Sequence, residues 1–206
     1  YNNILFSNEE LISNSLTNNS NISKWNTHTL MANLQQKIGS NDNLLSADFE
    51  YLHAHYKADQ QLISDFQKTI HQPAFLSKRK NQTPSITQLY VGKLDYLQHI
   101  NSHQRLELGW KSSFMNADNN AINDTLKVGN WVNDGSTSNH FLYNENIHAG
   151  YVNYHLESNN WNFTAGIRVE NTYSLGNQLT SNLQNERKYT NWFPSTSITR
   201  KIGEKH

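Results

Sequence analysis

Trp161-Asn162-Phe163-Thr164-Ala165-Gly166-Ile167-Arg168-Val169-Glu170 alternates: Trp161, Phe163, Ala165, Ile167 and Val169 fall on one side, Asn162, Thr164, Arg168 and Glu170 on the other. A period of two is the signature of a β-strand with one apolar and one polar face. The segment also has the length of a strand that crosses a bilayer at a tilt, about 9–11 residues. Along the chain, pairs of such segments joined by four to six polar residues alternate with long polar stretches. Short turns on one rim and long loops on the other are the plan of an outer-membrane barrel, so the apolar face is expected to meet lipid.

Three hairpins carry this reading. Around Gly39-Ser40-Asn41-Asp42-Asn43, pairing Ile38 with Leu45 sets Leu34 opposite Phe49 and Ala32 opposite Tyr51. Around Asn101-Ser102-His103, pairing Tyr96 with Leu106 sets Leu94 against Leu108 and Gly92 against Trp110, an aromatic covering a glycine. Around Glu157-Ser158-Asn159-Asn160, pairing Leu156 with Trp161 brings Tyr154 to Phe163, Val152 to Ala165 and Gly150 to Ile167. A slip of one residue would send every apolar side chain to the wrong face, so agreement in three hairpins outweighs any one strand.

The polar stretches 57–84, 115–145 and 174–188 are too long for ordinary connections and read as outer loops. Within the first, Asp59-Gln60-Gln61-Leu62-Ile63-Ser64-Asp65-Phe66-Gln67-Lys68-Thr69-Ile70 has the spacing of a short helix. A further strand is expected over residues 189–201, with a bulge or irregularity at Pro194, which cannot donate to a ladder, and a weaker strand over 11–16. The fold class is therefore all-β, an antiparallel up-and-down meander of about seven or eight strands, part of a large transmembrane barrel. The chain opens at Tyr1 without a methionine and closes on the turn-like Gly203-Glu204-Lys205-His206, so residues 1–206 read as one partial barrel domain.

Composition narrows the function. No apolar run approaches the ~18 residues of a transmembrane helix, and no signal peptide opens the chain. The mean hydropathy of −0.78 does not exclude a barrel, whose alternating strands cancel in a sliding average. Lys plus Arg equals Asp plus Glu at 17 each, so there is no basic field for a phosphate backbone, and nucleic acid is not an expected partner. With no cysteine, thiolate catalysis and Cys-ligated zinc are excluded. Roughly one residue in seven is Asn, crowded between strands as a turn former.

Candidate sites are few. His53 and His55 share one strand face while Asp48 and Glu50 take the other, so they do not converge as metal ligands. Lys93, Asp95, Arg105, Glu107, Lys111, Arg168 and Glu170 fall on polar faces and read as solvated ladders lining a wet lumen. Trp161, Tyr154, Tyr96 and Trp110 fit an interfacial aromatic girdle. Trp131, in Val128-Gly129-Asn130-Trp131-Val132-Asn133-Asp134-Gly135, is the one ligand-binding candidate, an aromatic in a long loop able to stack on a ligand; packing within its own loop is the weightier reading. No nucleophile-elbow, phosphate-loop or zinc-protease motif occurs, so neither enzyme activity nor a cofactor is expected.

Ser138-Asn139-His140-Phe141-Leu142-Tyr143-Asn144-Glu145-Asn146-Ile147-His148-Ala149-Gly150-Tyr151-Val152-Asn153, then 161–172, Tyr189-Thr190-Asn191-Trp192-Phe193-Pro194-Ser195 and Ile202-Gly203-Glu204-Lys205-His206 resemble the outer-membrane β-barrel family of TonB-dependent-receptor-like proteins of Bacteroidota. The resemblance extends from about residue 84 to the end. It implies a Gram-negative outer membrane, a barrel of about 22 strands around an N-terminal plug, and import of a small nutrient such as a siderophore, glycan or peptide. The implied partners are outer-membrane lipid, that nutrient, and the TonB complex acting through a plug that these residues do not contain. A soluble secreted β-sandwich or lectin-like binding module is the rival reading. A sandwich opposes its apolar faces in a core, whereas a barrel turns them outward from a single sheet.

Overall fold

The computed structural model describes residues 2–7, 10–39, 42–66 and 73–203, with side chains from residue 15 onward. The strands are β1 (Asn2–Ser7), β2 (Glu10–Ile38), β3 (Asn43–Phe66), β4 (Phe75–Asn101), β5 (Gln104–Lys127), β6 (Asn130–Asn133), β7 (Asn139–Ser158), β8 (Trp161–Gln178) and β9 (Leu183–Arg200). All belong to one antiparallel sheet, eight in chain order and β6 as a spur on β5. The up-and-down meander is the expected one, and no second sheet faces it among the described residues. The connections β2–β3, β4–β5 and β7–β8 share one rim.

Alternation places the side chains as the sequence predicts. One row of directly paired residues runs Leu34, Ala47, Leu94, Trp110, Gly150, Val169, Trp192 across seven strands without a polar member. These side chains do not enter a core. On central strands, flanked on both sides, Leu94 is 49% exposed and Trp110 54%. The buried residues among those described, Ser15, Ala58, Ala149, Thr172 and Ser174, are all small. By register all five lie on the other, polar face. A sheet that crowds small residues on its polar side and splays large apolar ones on the opposite side is concave toward water. That is the geometry of a barrel wall and the reverse of a sandwich.

The register of each hairpin differs from the sequence expectation by two residues. Ile38 pairs with Asn43, so Leu34 meets Ala47 and Ala32 meets Phe49. Tyr96 pairs with Leu108 and Leu94 with Trp110, leaving Gly92 opposite Ser112. Ser158 pairs with Trp161, so Tyr154 meets Ala165 and Val152 meets Ile167. The turns are tighter than the sequence suggested. Asn159 in the last turn takes φ 47° and Asp42 in the first takes φ 54°, left-handed values that Asn and Asp tolerate. In the second, Asn101 Oδ1 accepts a hydrogen bond from the His103 amide at 2.9 Å. A shift of two preserves every face. The glycine that Trp110 flanks is Gly150, on the neighbouring β7.

The predicted outer loops are mostly strand. β3 and β4 pair from Leu44–Leu97 to Phe66–Phe75, taking in 57–66 and 75–84. Likewise β5 and β7 extend into 115–145, and β8 and β9 into 174–188. Residues 59–66 are strand rather than helix, and 67–70 lie outside the described residues. Above the lipid both faces of a strand are wet, so apolar alternation stops while backbone pairing continues. The 24 residues of β3 reach about 80 Å, far beyond a hydrocarbon core of about 30 Å. Residues 11–16 belong to β2. Pro194 pairs with Ile167 in an unbroken β8–β9 register, without the expected bulge. As the last strand of the sheet, β9 tolerates a residue that cannot donate.

The apolar run drifts across the sheet. On β8 it spans 161–169, centred on Ala165; on β3 it spans 45–51, centred on Asp48, whose row leads through Lys93, Lys111 and Ala149 to Glu170. The two centres thus differ by five residues over four strand steps. That is a climb of about 17 Å over about 19 Å of sheet width. A band level with the membrane therefore requires strands tilted by about 40°, within the range of closed barrels.

Two measurements follow. Polarised infrared dichroism of the full-length protein in oriented bilayers should give a mean strand tilt near 40°; a value below about 25° would contradict the drift. In denaturant titrations after refolding into lipid vesicles, Ala165→Arg should lower stability by about 2–4 kcal/mol while Thr164→Arg costs far less. Ala165→Leu should be tolerated, since lipid accommodates what a close-packed core resists.

Candidate functional site

Within the lipid-facing zone, the charged side chains of β3–β8 lie on the concave face. One inward row runs Asp95, Gly109, Tyr151, Arg168, Phe193, and the next Leu97, Glu107, Asn153, Gly166, Ser195. Each contains a glycine, and each glycine makes room for its neighbour. A Cβ on Gly109 would stand 2.2 Å from the Tyr151 ring, and one on Gly166 would stand 2.0 Å from Asn153 Oδ1. Tyr151 therefore lies flat across β5, and its hydroxyl reaches a carboxylate two strands away.

The resulting cluster is fully polar. The Tyr151 hydroxyl donates to Asp95, whose other oxygen pairs with the Lys93 ammonium. Glu107 lies 3.4 Å from the same hydroxyl and accepts a bond from Asn153 Nδ2 at 3.4 Å. His155 places Nε2 3.6 Å from Glu107 and Nδ1 3.0 Å from Thr164 Oγ1. Arg168 Nε donates to Glu170 at 2.6 Å, and Arg105 lies 3.6 Å from Glu157. A groove of about 420 Å³ opens here between Lys93, Glu107, Arg168 and Phe193. Lys93, Asp95, Glu107, Arg168 and Glu170 thus come together as a wet ladder. Lys111 shares the face in the row of Lys93, and Arg105 stands nearer the turn rim. The sequence reading missed Tyr151, because its role depends on the empty place at Gly109 in the next strand.

Trp131 goes elsewhere. It sits on β6 opposite Leu126, and even-numbered β5 residues share the convex face of Trp110. There it borders a groove of about 300 Å³ with Ser20, Ile22, Asp59, Gln61 and Lys80, outside the lumen. Its hairpin is tightly laced. Asn133 Nδ2 bonds Asp124 Oδ1 at 3.2 Å and Ser138 Oγ at 3.0 Å, and Asn123 Nδ2 donates to the Thr137 carbonyl at 2.6 Å. Asp134 accepts the Ser136 hydroxyl at 2.6 Å and its amide at 3.1 Å, which hold the carboxyl below its ordinary range. On the convex face His53 stands opposite His28, with Gln88 3.5 Å from its Nδ1, and His55 lies one outward step further. No group of three or more metal-ligating side chains converges among the described residues. At the turn rim the Arg200 guanidinium lies 5.2 Å from the Trp161 ring centroid, a cation–π contact at the end of the apolar run.

Residues 36–206 match the outer membrane protein beta-barrel family. The chain belongs to that family. Its place is the outer membrane, and its fold is that of TonB-dependent-receptor barrels. Among solved structures it is similar to the ferric citrate transporter FecA in its unliganded form, with a TM-score of 0.50 at 13% identity over 93% of this chain and 34% of that one. It is also similar to the ferric yersiniabactin uptake receptor FyuA from Yersinia pestis, with a TM-score of 0.48 at 11% identity over 93% of this chain and 36% of that one. The chain thus spans about a third of each receptor's length. No curated protein matches the sequence. For this family member, the convex apolar run is the lipid face and the concave ladder faces the lumen.

The ladder makes a specific demand. Tyr151→Phe removes a hydrogen bond to a carboxylate and should lower stability by about 1.5–3 kcal/mol. Gly109→Ala should push the ring off β5 and break the same bond. Because both act on one interaction, the double variant should cost clearly less than the sum, read by denaturant titration in vesicles. Strict additivity would show that Tyr151 does not depend on Gly109.

Proposed function

We propose that this chain forms part of the lumenal wall of an outer-membrane receptor that imports a small nutrient, a siderophore, glycan or peptide, with energy from the TonB complex acting through an N-terminal plug. The observation that supports this most is the contrast between faces. The concave face of β4–β9 carries lysine, arginine, carboxylates, amides and hydroxyls, in a hydrogen-bonded cluster around Tyr151 and separate arginine–carboxylate pairs, which suits a water-filled passage. Family membership and the likeness to the FecA fold support the same reading. In this reading the protein moves a solute and does not transform it. Asp95, Glu107 and Glu170 are held by Lys93, Tyr151, Asn153 and Arg168, and serve as wall rather than as acid or base.

The test is uptake by whole cells. A strain lacking the full-length gene should lose import of one labelled solute in a panel of iron chelates, oligosaccharides and peptides. The wild-type gene should restore it, and disabling the TonB complex should abolish it. If import of every solute is unchanged by the deletion, the transport reading fails. If import is lost but does not respond to TonB, the energy coupling fails.

A further inference from the structure

Gly150 interrupts the lipid face. It lies in the middle of the all-apolar row, between Trp110 on β5 and Val169 on β8. The missing side chain leaves a groove of about 410 Å³, walled by Trp110 on one side and by Ile167 and Val169 on the other, with Val152 toward the turn rim. The indole does not collapse into it: a Cβ on Gly150 would still stand 3.6 Å from the ring. Trp110 is held back by its own polar edge, because Nε1–H donates to Ser112 Oγ at 2.8 Å.

The end of the groove toward the outer rim is polar. His148 and Asn171 pair across β7 and β8 there, one outward step beyond Gly150 and Val169. The hydrogen bonds set their chemistry. Indole N–H can only donate, so Ser112 Oγ accepts from Trp110, and the same oxygen lies 2.9 Å from His148 Nδ1. With Nδ1 engaged by Ser112, His148 has Nε2 left to meet a polar group. Asn171 gives one amide proton to Thr190 Oγ1 at 2.9 Å and keeps a second. An apolar trough capped by an imidazole and an amide N–H donor, continuous with the lipid-facing surface, has the polarity of an amphiphile with a polar, acceptor-bearing head.

We propose that this groove seats one phospholipid of the surrounding membrane, an acyl chain lying over Gly150 and the phosphate or ester oxygens at His148 and Asn171. The occupant is lipid rather than a second copy of the chain because the groove is continuous with the face that already meets lipid. The general lipid face of a barrel has no preference among neighbours; a seat is saturable.

The experiment uses the full-length protein in phospholipid vesicles containing a phospholipid brominated on one acyl chain, which quenches nearby tryptophan. The difference between wild type and Trp110→Phe isolates Trp110, and the difference between wild type and Trp161→Phe gives an ordinary lipid-facing reference. Trp110 should reach half-quenching at a several-fold lower mole fraction of brominated lipid than Trp161. Gly150→Leu should bring the Trp110 curve onto that of Trp161. His148→Ala should shift it part of the way. Gly150→Ala, which adds a Cβ at ordinary contact distance, should give an intermediate curve if the leucine variant does not fold, with folding read by heat-modifiable gel mobility. Coincident Trp110 and Trp161 curves in the wild type would overturn the proposal. So would an excess that survives filling of the groove, or a self-association lost in Gly150→Leu while quenching stays proportional to mole fraction.

Discussion

Hydrocarbon offers no hydrogen-bond partner to a peptide group, and the rest of this structure follows from that constraint. Every N–H and C=O within the bilayer must find its partner on an adjacent strand. The ladders accordingly run without a break through the lipid-facing zone from β2 to β9. The register shifts sit at the margins, between Leu5 and Phe6 and between His99 and Asn101. The β4–β5 ladder skips Pro84 well above the lipid-facing run. Stability here comes from the ladder and the lipid, since Ala58 and Ala149 are the only buried apolar residues among those described.

With the ladder satisfied, the two faces are free to differ, and small residues do different work on each. On the concave face, Gly109 and Gly166 let Tyr151 and Asn153 lie across neighbouring strands, so Lys93, Asp95 and Glu107 are joined into one network rather than standing as separate posts. On the convex face, Gly150 leaves a groove that Trp110, hydrogen-bonded to Ser112, does not fill. Both effects arise from an absent side chain placed in register beside a large one.

The tilt follows from the same ladder. Hydrogen-bonded rows run perpendicular to the strands, whereas the membrane is level, so the apolar run must slip along successive strands. The five-residue offset between Asp48 and Ala165 is that slip written into the sequence, visible only when the registers are known.

The sequence by itself determined the faces: the period of two in 161–170 places Ala165 on the lipid side and Thr164 on the wet side, and sequential hairpins make the meander. It did not determine register, because shifts of two leave the alternation unchanged; the choice between Leu34–Phe49 and Leu34–Ala47 belongs to backbone angles in the turn, such as φ 54° at Asp42. Nor did it show where strands end. Beyond the lipid both faces are wet, so 57–66 looks like loop or helix while its backbone still pairs with β4. Trp131 was legible as an exposed aromatic, yet its placement on the outer wall required the β5–β6 pairing. Tyr151 reaching Asp95 across Gly109, and the groove over Gly150, exist only between strands. Their physical cause is a vacancy beside a ring, and that adjacency is set by tertiary register alone.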